Sequence, residues 1–186
     1  MAIVVEDGTI VANANSYLGA SDIETILEQT PYLAAWTGAD DDEKELFARA
    51  ATKYLDRRFR FYGDTIDAAQ KLQWPRTKNY DNLGFLIDRG VIPDQLKEAT
   101  AIMAGFFAAN PDEIADLFEG TSLVKSWSSE GLSVDFGTPT TKDGGEMNNE
   151  QILGPRYAEV ELLLRSIGTR KDGTWIGANK QTDLSA

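Results

Sequence analysis

The stretch Leu72-Gln73-Trp74-Pro75-Arg76-Thr77 constrains this chain more than any other. It lies between two segments of helical period. Leu46, Phe47, Ala50, Ala51, Tyr54 and Leu55 recur along one face before it, and Leu96, Ala99, Thr100, Met103, Ala104 and Phe107 do so after it. A proline pushes the residue before it towards extended backbone, so the two helices cannot merge through Trp74. A tryptophan held in an extended connector between two helices reads as a wedge into their shared core. Arg76 beside it offers a planar fork of donors, suited to tying loop carbonyls or a carboxylate together. Trp74, Pro75 and Arg76 therefore read as a rigid structural crossover, not as a place where chemistry is done.

A chain of 186 residues with 42% hydrophobic content is long enough for one domain with a real core. It contains no cysteine and no histidine. The first absence removes disulfides and thiolate chemistry, and the second removes histidine-based triads and metal ligands. No P-loop, dinucleotide fingerprint or zinc spacing occurs. The carboxylate runs at Asp40 to Glu43, at Asp112 with Asp116 and at Glu159 with Glu161 come without an apolar pocket, and read as solvated helix faces. We therefore expect no catalytic, cofactor-binding or metal-binding residues, no cofactor and no enzyme. No apolar run is long enough to span a bilayer, and the first residues lack the regions of a signal peptide, so the expectation is a soluble protein without membrane partners. The net charge of −12 disfavours nucleic-acid phosphates except at a local basic patch.

Along the chain, Asp7-Gly8 between β-branched residues predicts a hairpin or extended arm over residues 1–15. Ser21 with Glu24 has capping-box spacing for a short helix carrying Ile23, Ile26 and Leu27, stopped at Pro31. Tyr32, Leu33 and Trp36 continue as an apolar loop. Asp40 with Glu43 predicts a second box, opening a helix that runs to about Arg58 or Arg60. Asn79 to Gly84 has the composition of a hairpin tip. Pro93 suits a helix start, and Asn110-Pro111 ends that helix before a shorter one over 112–118. Alternating residues on either side of Ser128 to Gly131 predict a hairpin over 121–137, followed by a loop over 137–149. Tyr157, Val160, Glu161 and Leu164 predict a last helix. The expected fold is mainly α: a small helical bundle over 16–167 with one β-hairpin, an N-terminal arm and a polar C-terminal tail over 168–186.

Two kinds of surface stand out. Arg57-Arg58-Phe59-Arg60-Phe61-Tyr62 interleaves cations with aromatic rings, as single-stranded nucleic-acid surfaces do, with Arg57, Arg58, Arg60 and Phe61 as the contacts. The competing reading, favoured by the shortness of the patch, is a helix C-terminus whose cations complement the dipole and whose rings pack inward. Trp127 on the hairpin, and Trp175 and Ile176 in a tail that also carries Arg170 and Lys171, are candidates for partner contacts. Trp127 is equally readable as core.

Several pieces occur together in one order. Ala14-Asn15-Ser16-Tyr17 is followed by Ala50-Ala51-Thr52-Lys53-Tyr54-Leu55-Asp56, Gly63, Gln73-Trp74-Pro75-Arg76 and Ile92-Pro93. Leu96-Lys97-Glu98-Ala99-Thr100 and Ser129-Glu130-Gly131-Leu132-Ser133-Val134-Asp135-Phe136 come after them. In this the chain resembles the small head–tail connector (adaptor) proteins of tailed bacteriophages, a group that also carries the label DnaT-like single-stranded-DNA-binding protein. The resemblance spans Ala14 to Phe136. It implies a structural neck protein of the virion, made in the bacterial host cytoplasm. It further implies a dodecameric ring of identical subunits beneath a portal protein, a stopper or tail-completion protein as the next partner, and DNA passing the lumen without specific binding. The alternative is a single-stranded-DNA-binding replication accessory protein, with Arg57 to Tyr62 as the feature that discriminates.

Overall fold

The structure is a computed structural model and describes residues 2–81, 83–114, 126–129, 132–135 and 158–170. It is mainly α with short antiparallel strand pairs, as expected. The helices are α1 (Ala20–Leu27), α2 (Leu33–Gly38), α3 (Asp41–Arg58), α4 (Asp94–Ala109) and α5 (Ala158–Leu164). The strands are β1 (Phe59–Phe61), β2 (Asp64–Thr65), β3 (Arg76–Thr77), β4 (Ser126–Ser129), β5 (Leu132–Asp135) and β6 (Gly168–Arg170). They pair as β1 with β6, β2 with β3 and β4 with β5.

Helix α4 is the centre of the bundle, packed against α1, α2, α3 and α5. The expected face of Leu96, Ala99, Thr100, Met103, Ala104 and Phe107 is buried, and so are Ala101, Ile102, Gly105 and Phe106. A helix surrounded by four others has no solvent face over most of its length, so its amphipathic signal is diluted. Small residues let the neighbours come close. A Cβ built on Gly105 would lie 2.7 Å from Tyr32 Cβ and 3.0 Å from both methyls of Leu27. The Thr100 hydroxyl donates to Leu96 O at 2.7 Å, which satisfies it within the core.

Helix α3 starts as the sequence predicts. The Asp40 carboxylate accepts from Glu43 N at 2.8 Å, and Glu43 accepts from Asp40 N at 3.0 Å, so two orphan donors are satisfied reciprocally. Asp41, Asp42 and Glu43 in its first turn and Arg57 and Arg58 in its last complement the dipole. Helix α1 differs from expectation. Its N-cap is Gly19, no side chain caps it, and Ser21 lies one residue inside the helix, so no box forms with Glu24. Trp36 does not sit in a loop either. It belongs to α2 and is fully buried, because Pro31 ends one helix and leaves the next free to start at Leu33.

The N-terminal segment is docked, not an extended arm. Glu6 is buried, and its carboxylate accepts from the backbone N–H groups of Gly8 and Ile10 (2.9 and 3.0 Å) and of Val11 (3.0 Å). The chain therefore wraps round one side chain instead of forming the expected hairpin. Asn15 fastens the loop by accepting from Val4 N at 2.9 Å, and Val5 bridges Ser16. At the other end, β6 falls in the span read from sequence as tail. Its register on β1 is Phe59 with Arg170, Arg60 with Thr169 and Phe61 with Gly168. Gly168 makes this possible, since a Cβ there would meet Phe61 Cδ1 at 2.9 Å. The hairpin expected over 121–137 is present as β4 and β5, with Trp127 opposite Val134. The loop 137–149 and the tail beyond Arg170 lie outside the described residues.

The crossover is a junction of hydrogen bonds around a buried ring. Trp74 is fully buried against Phe61, ring centroids 6.0 Å apart. Arg76 donates to the carbonyls of Tyr62 (2.7 Å), Gly63 (2.6 Å) and Gln73 (3.1 Å), the loop-tying role its fork suggests. Gln73 donates through its side chain to Asp56 O and Phe59 O, capping the end of α3. Asp56 accepts from Gln73 N at 3.0 Å and from the Tyr17 hydroxyl at 2.6 Å. That hydroxyl in turn accepts from Trp74 N at 3.3 Å. The N-terminal segment, the end of α3 and the crossover thus meet at Tyr17.

Burial, then the negative charge of Asp56, push the Tyr17 hydroxyl well above its ordinary 10.0. Folding therefore favours the neutral phenol. The stabilisation is complete below pH 10 and is lost as the pH rises beyond it towards the folded-state value. A thermal melt series should show the melting temperature falling above that pH. Tyr17→Phe should melt lower than wild type at neutral pH, having lost its hydrogen bonds, but with a shallower alkaline decline. An unchanged alkaline slope in the variant would place the alkaline weakness elsewhere.

Candidate nucleic-acid interface

Residues four apart on a helix share a face. Arg49, Lys53 and Arg57 follow that spacing along the outer side of α3 and line one wall of an open cavity of about 700 Å³. Lys71, from the segment leading into the crossover, brings a fourth cation. Leu46 and Ala50 of α3, Leu72 and Ile114 supply its apolar part, and Ala14 and Asn15 of the docked N-terminal loop close one side. The half-buried bonds of Asp56 to Tyr17 and Gln73 fix that loop and the crossover against α3, so the walls are held by the same junction that holds the fold.

The electrostatics of the cavity differ from those of the whole chain. Among the described residues four cations and one carboxylate, Asp56, line it, whereas the whole chain carries −12. Asp56 is engaged by the Tyr17 hydroxyl and the Gln73 amide. Arg49 pairs with Glu45 at 3.2 Å, one turn earlier on the helix. At physiological ionic strength fields decay over about 8 Å, so a bound anion feels these cations more than the distant acids.

The sequence-derived patch Arg57 to Tyr62 is only partly preserved. Arg57 joins the cavity wall. Arg58 turns back over the Tyr54 ring, 5.8 Å from its centroid. Arg60 is exposed on β1. Phe61 must be withdrawn as a nucleic-acid contact, because it is 1% exposed and packs on Trp74. The helix ends at Arg58, and the period-two alternation of the strand then turns Phe59 and Phe61 inward. Phe59 and Phe61 therefore pack inward, whereas Tyr62 remains exposed. Trp74 and Pro75 are buried, and Arg76 donates to three loop carbonyls. Trp127 and Arg170 are placed by backbone only, in β4 and β6. Lys171, Trp175 and Ile176 lie outside the described residues.

Arg49, Lys53 and Lys71 were not singled out from the sequence. The signal for the first two was present: cations at positions 49, 53 and 57 keep the helical period along the edge of the apolar stripe, beside Leu46 and Ala50. Lys71 carried no such signal, since only the return of the crossover brings it to α3. Among the described residues no group of acidic side chains is placed to hold a metal ion, and no helix is long and apolar enough to cross a membrane.

Neither the curated proteins nor the solved structures include a match to this chain. One family model does match, over residues 1–178, and its description is "Putative DnaT-like ssDNA binding protein". This overturns the expectation of a head–tail connector as the chain's function, because the match runs nearly end to end and points to the alternative, a binder of single-stranded DNA. The connector reading rested on the order of short motifs from Ala14 to Phe136, a shorter span than the family match. On the strength of that match, the chain belongs to the family of DnaT-like ssDNA-binding proteins.

Proposed function

We propose that this protein binds single-stranded DNA, without chemistry of its own, along the cationic cavity of α3. The observation that carries the reading is the convergence of Arg49, Lys53, Arg57 and Lys71 on one opening in an otherwise acidic protein. Cations spaced one helical turn apart, about 6 Å, match the spacing of successive phosphates on a single strand closely enough to engage several at once. The apolar floor of Leu46, Ala50, Leu72 and Ile114 offers a surface to sugars and bases. The net negative charge elsewhere keeps nucleic acid from clinging to the rest of the surface.

Fluorescence anisotropy with a labelled oligothymidine, repeated over a range of salt concentrations, tests this directly. Neutralising phosphates of a single strand lowers log K against log salt by about 0.7 per contact, so four cations give a slope near −3. Absence of binding at low salt, or an affinity indifferent to salt, would reject the proposal.

A further inference from the structure

Asp56 is the one carboxylate among the described residues that line the cationic cavity, and two effects disfavour it there. It lies in the last turn of α3, at the negative end of the helix dipole. It also repels the phosphates that Lys53, Arg57 and Lys71 attract. Its two oxygens are engaged by other segments of the chain. Oδ1 accepts from the Tyr17 hydroxyl at 2.6 Å, and Oδ2 accepts from Gln73 N at 3.0 Å. The second bond reaches the segment that carries Lys71, two residues before Gln73.

That segment is a turn closed on one side chain. The Gln70 amide oxygen accepts from Ile66 N (3.0 Å) and Asp67 N (3.2 Å), and its nitrogen donates to Leu72 O (2.8 Å) and Pro75 O (3.2 Å). Lys71 stands exposed on this turn. A turn stitched from inside moves as one piece, so its attachment to α3 decides where the Lys71 ammonium lies. The Gln73 side chain anchors it to the carbonyls of Asp56 and Phe59, and the bond from Gln73 N to the Asp56 carboxylate fixes its direction. We infer that Asp56 is a positioning residue for single-strand binding: through Gln73 it orients the 66–75 turn so that Lys71 completes the cation set of α3. The inference rests on the single-stranded-DNA reading above and gives a role to a group in the lining that opposes phosphate.

The experiment measures anisotropy of labelled oligothymidine over a range of salt with full-length wild type, Asp56→Asn, Lys71→Ala and the double variant. Asparagine keeps the volume of Asp56 but offers one acceptor oxygen where two donors converge. The Gln73 amide still caps α3 through backbone carbonyls, so the crossover keeps an anchor. An acid that acts only through its charge should, once neutralised, leave a site that binds the strand more tightly. A positioning acid should leave one that binds more weakly. Lys71→Ala should bind about 10-fold more weakly, the loss of one charged contact, with a salt slope shallower by about 0.7. Asp56→Asn should weaken binding by up to that factor and flatten the slope equally, although the cavity has gained positive charge. The double variant should bind no more weakly than Lys71→Ala, whereas independent residues would multiply their losses. Gln70→Ala unties the turn and leaves every charge in place, so it should reproduce the loss and the shallower slope, and it carries the test if Asp56→Asn melts below the assay temperature. Where wild type binds, three results would each overturn the positioning role and leave the cavity reading standing. These are unchanged or tighter binding by a folded Asp56→Asn, multiplied losses in the double variant, and an unaltered slope in Gln70→Ala. If wild type binds no oligothymidine at low salt, both proposals fall together.

Discussion

Replacing Trp74 with alanine should lower the free energy of unfolding by about 3–5 kcal/mol, the range for deleting a large buried ring. Domains of this kind hold about 5–15 kcal/mol in total, so the variant should be close to unfolding at body temperature. The effect is large because no group can collapse into the space easily. Phe61 is pinned by β-pairing to Gly168, and the crossover backbone is pinned by Arg76 and Gln73. Trp74→Phe should cost much less. The Trp74 Nε1 finds no acceptor among the described residues, so losing it removes a buried donor that was already unsatisfied. Urea titrations followed by circular dichroism give both numbers. A loss below about 1 kcal/mol in the alanine variant would mean that the ring is not the wedge its burial implies.

That ring was legible from Trp74-Pro75 because proline limits the backbone locally, and local rules survive folding. The Asp40–Glu43 cap and the burial of Leu96 to Phe107 were legible for the same reason: each is decided within a few residues by hydrogen-bond geometry or by helical period. Three features went the other way. Glu6 folds the N-terminal loop round its own carboxylate, a choice that competes with a hairpin only once the loop lies against the core, where Gly8 meets Gly90. The inward turn of Phe61 depends on β6, more than a hundred residues later in the chain, supplying the partner strand. The cationic cavity joins α3 to Lys71 across the crossover, so only its helical half had a sequence period to find. Composition misled as well. A net charge of −12 says little about a site lined by four cations, because charge averages over the chain and binding does not.

Reversing two of those cations, Lys53→Glu with Arg57→Glu, should weaken oligothymidine binding by about 100-fold or more. A charged hydrogen bond to phosphate contributes about 1.5–3 kcal/mol, and two lost contacts at the lower end already give two decades. The new carboxylates then repel the strand, and the remaining Arg49 and Lys71 are offset, so the salt slope should fall from about −3 towards zero. Net charge alone does not account for this. Lys44→Glu with Lys97→Glu makes the same change in overall charge, on helix ends outside the cavity lining, and should bind within a few-fold of wild type. Stability should move little for Lys53 and Arg57, which are exposed, whereas Lys44→Glu loses the pair with Glu24 from a side chain only 16% exposed, so the melting temperature of that control is measured alongside its binding. Equal losses in the two pairs would show that the strand senses the whole protein's field and not a site. A loss confined to the Lys53 and Arg57 pair, with the melting temperature kept, would place the sugar-phosphate chain on the outer face of α3.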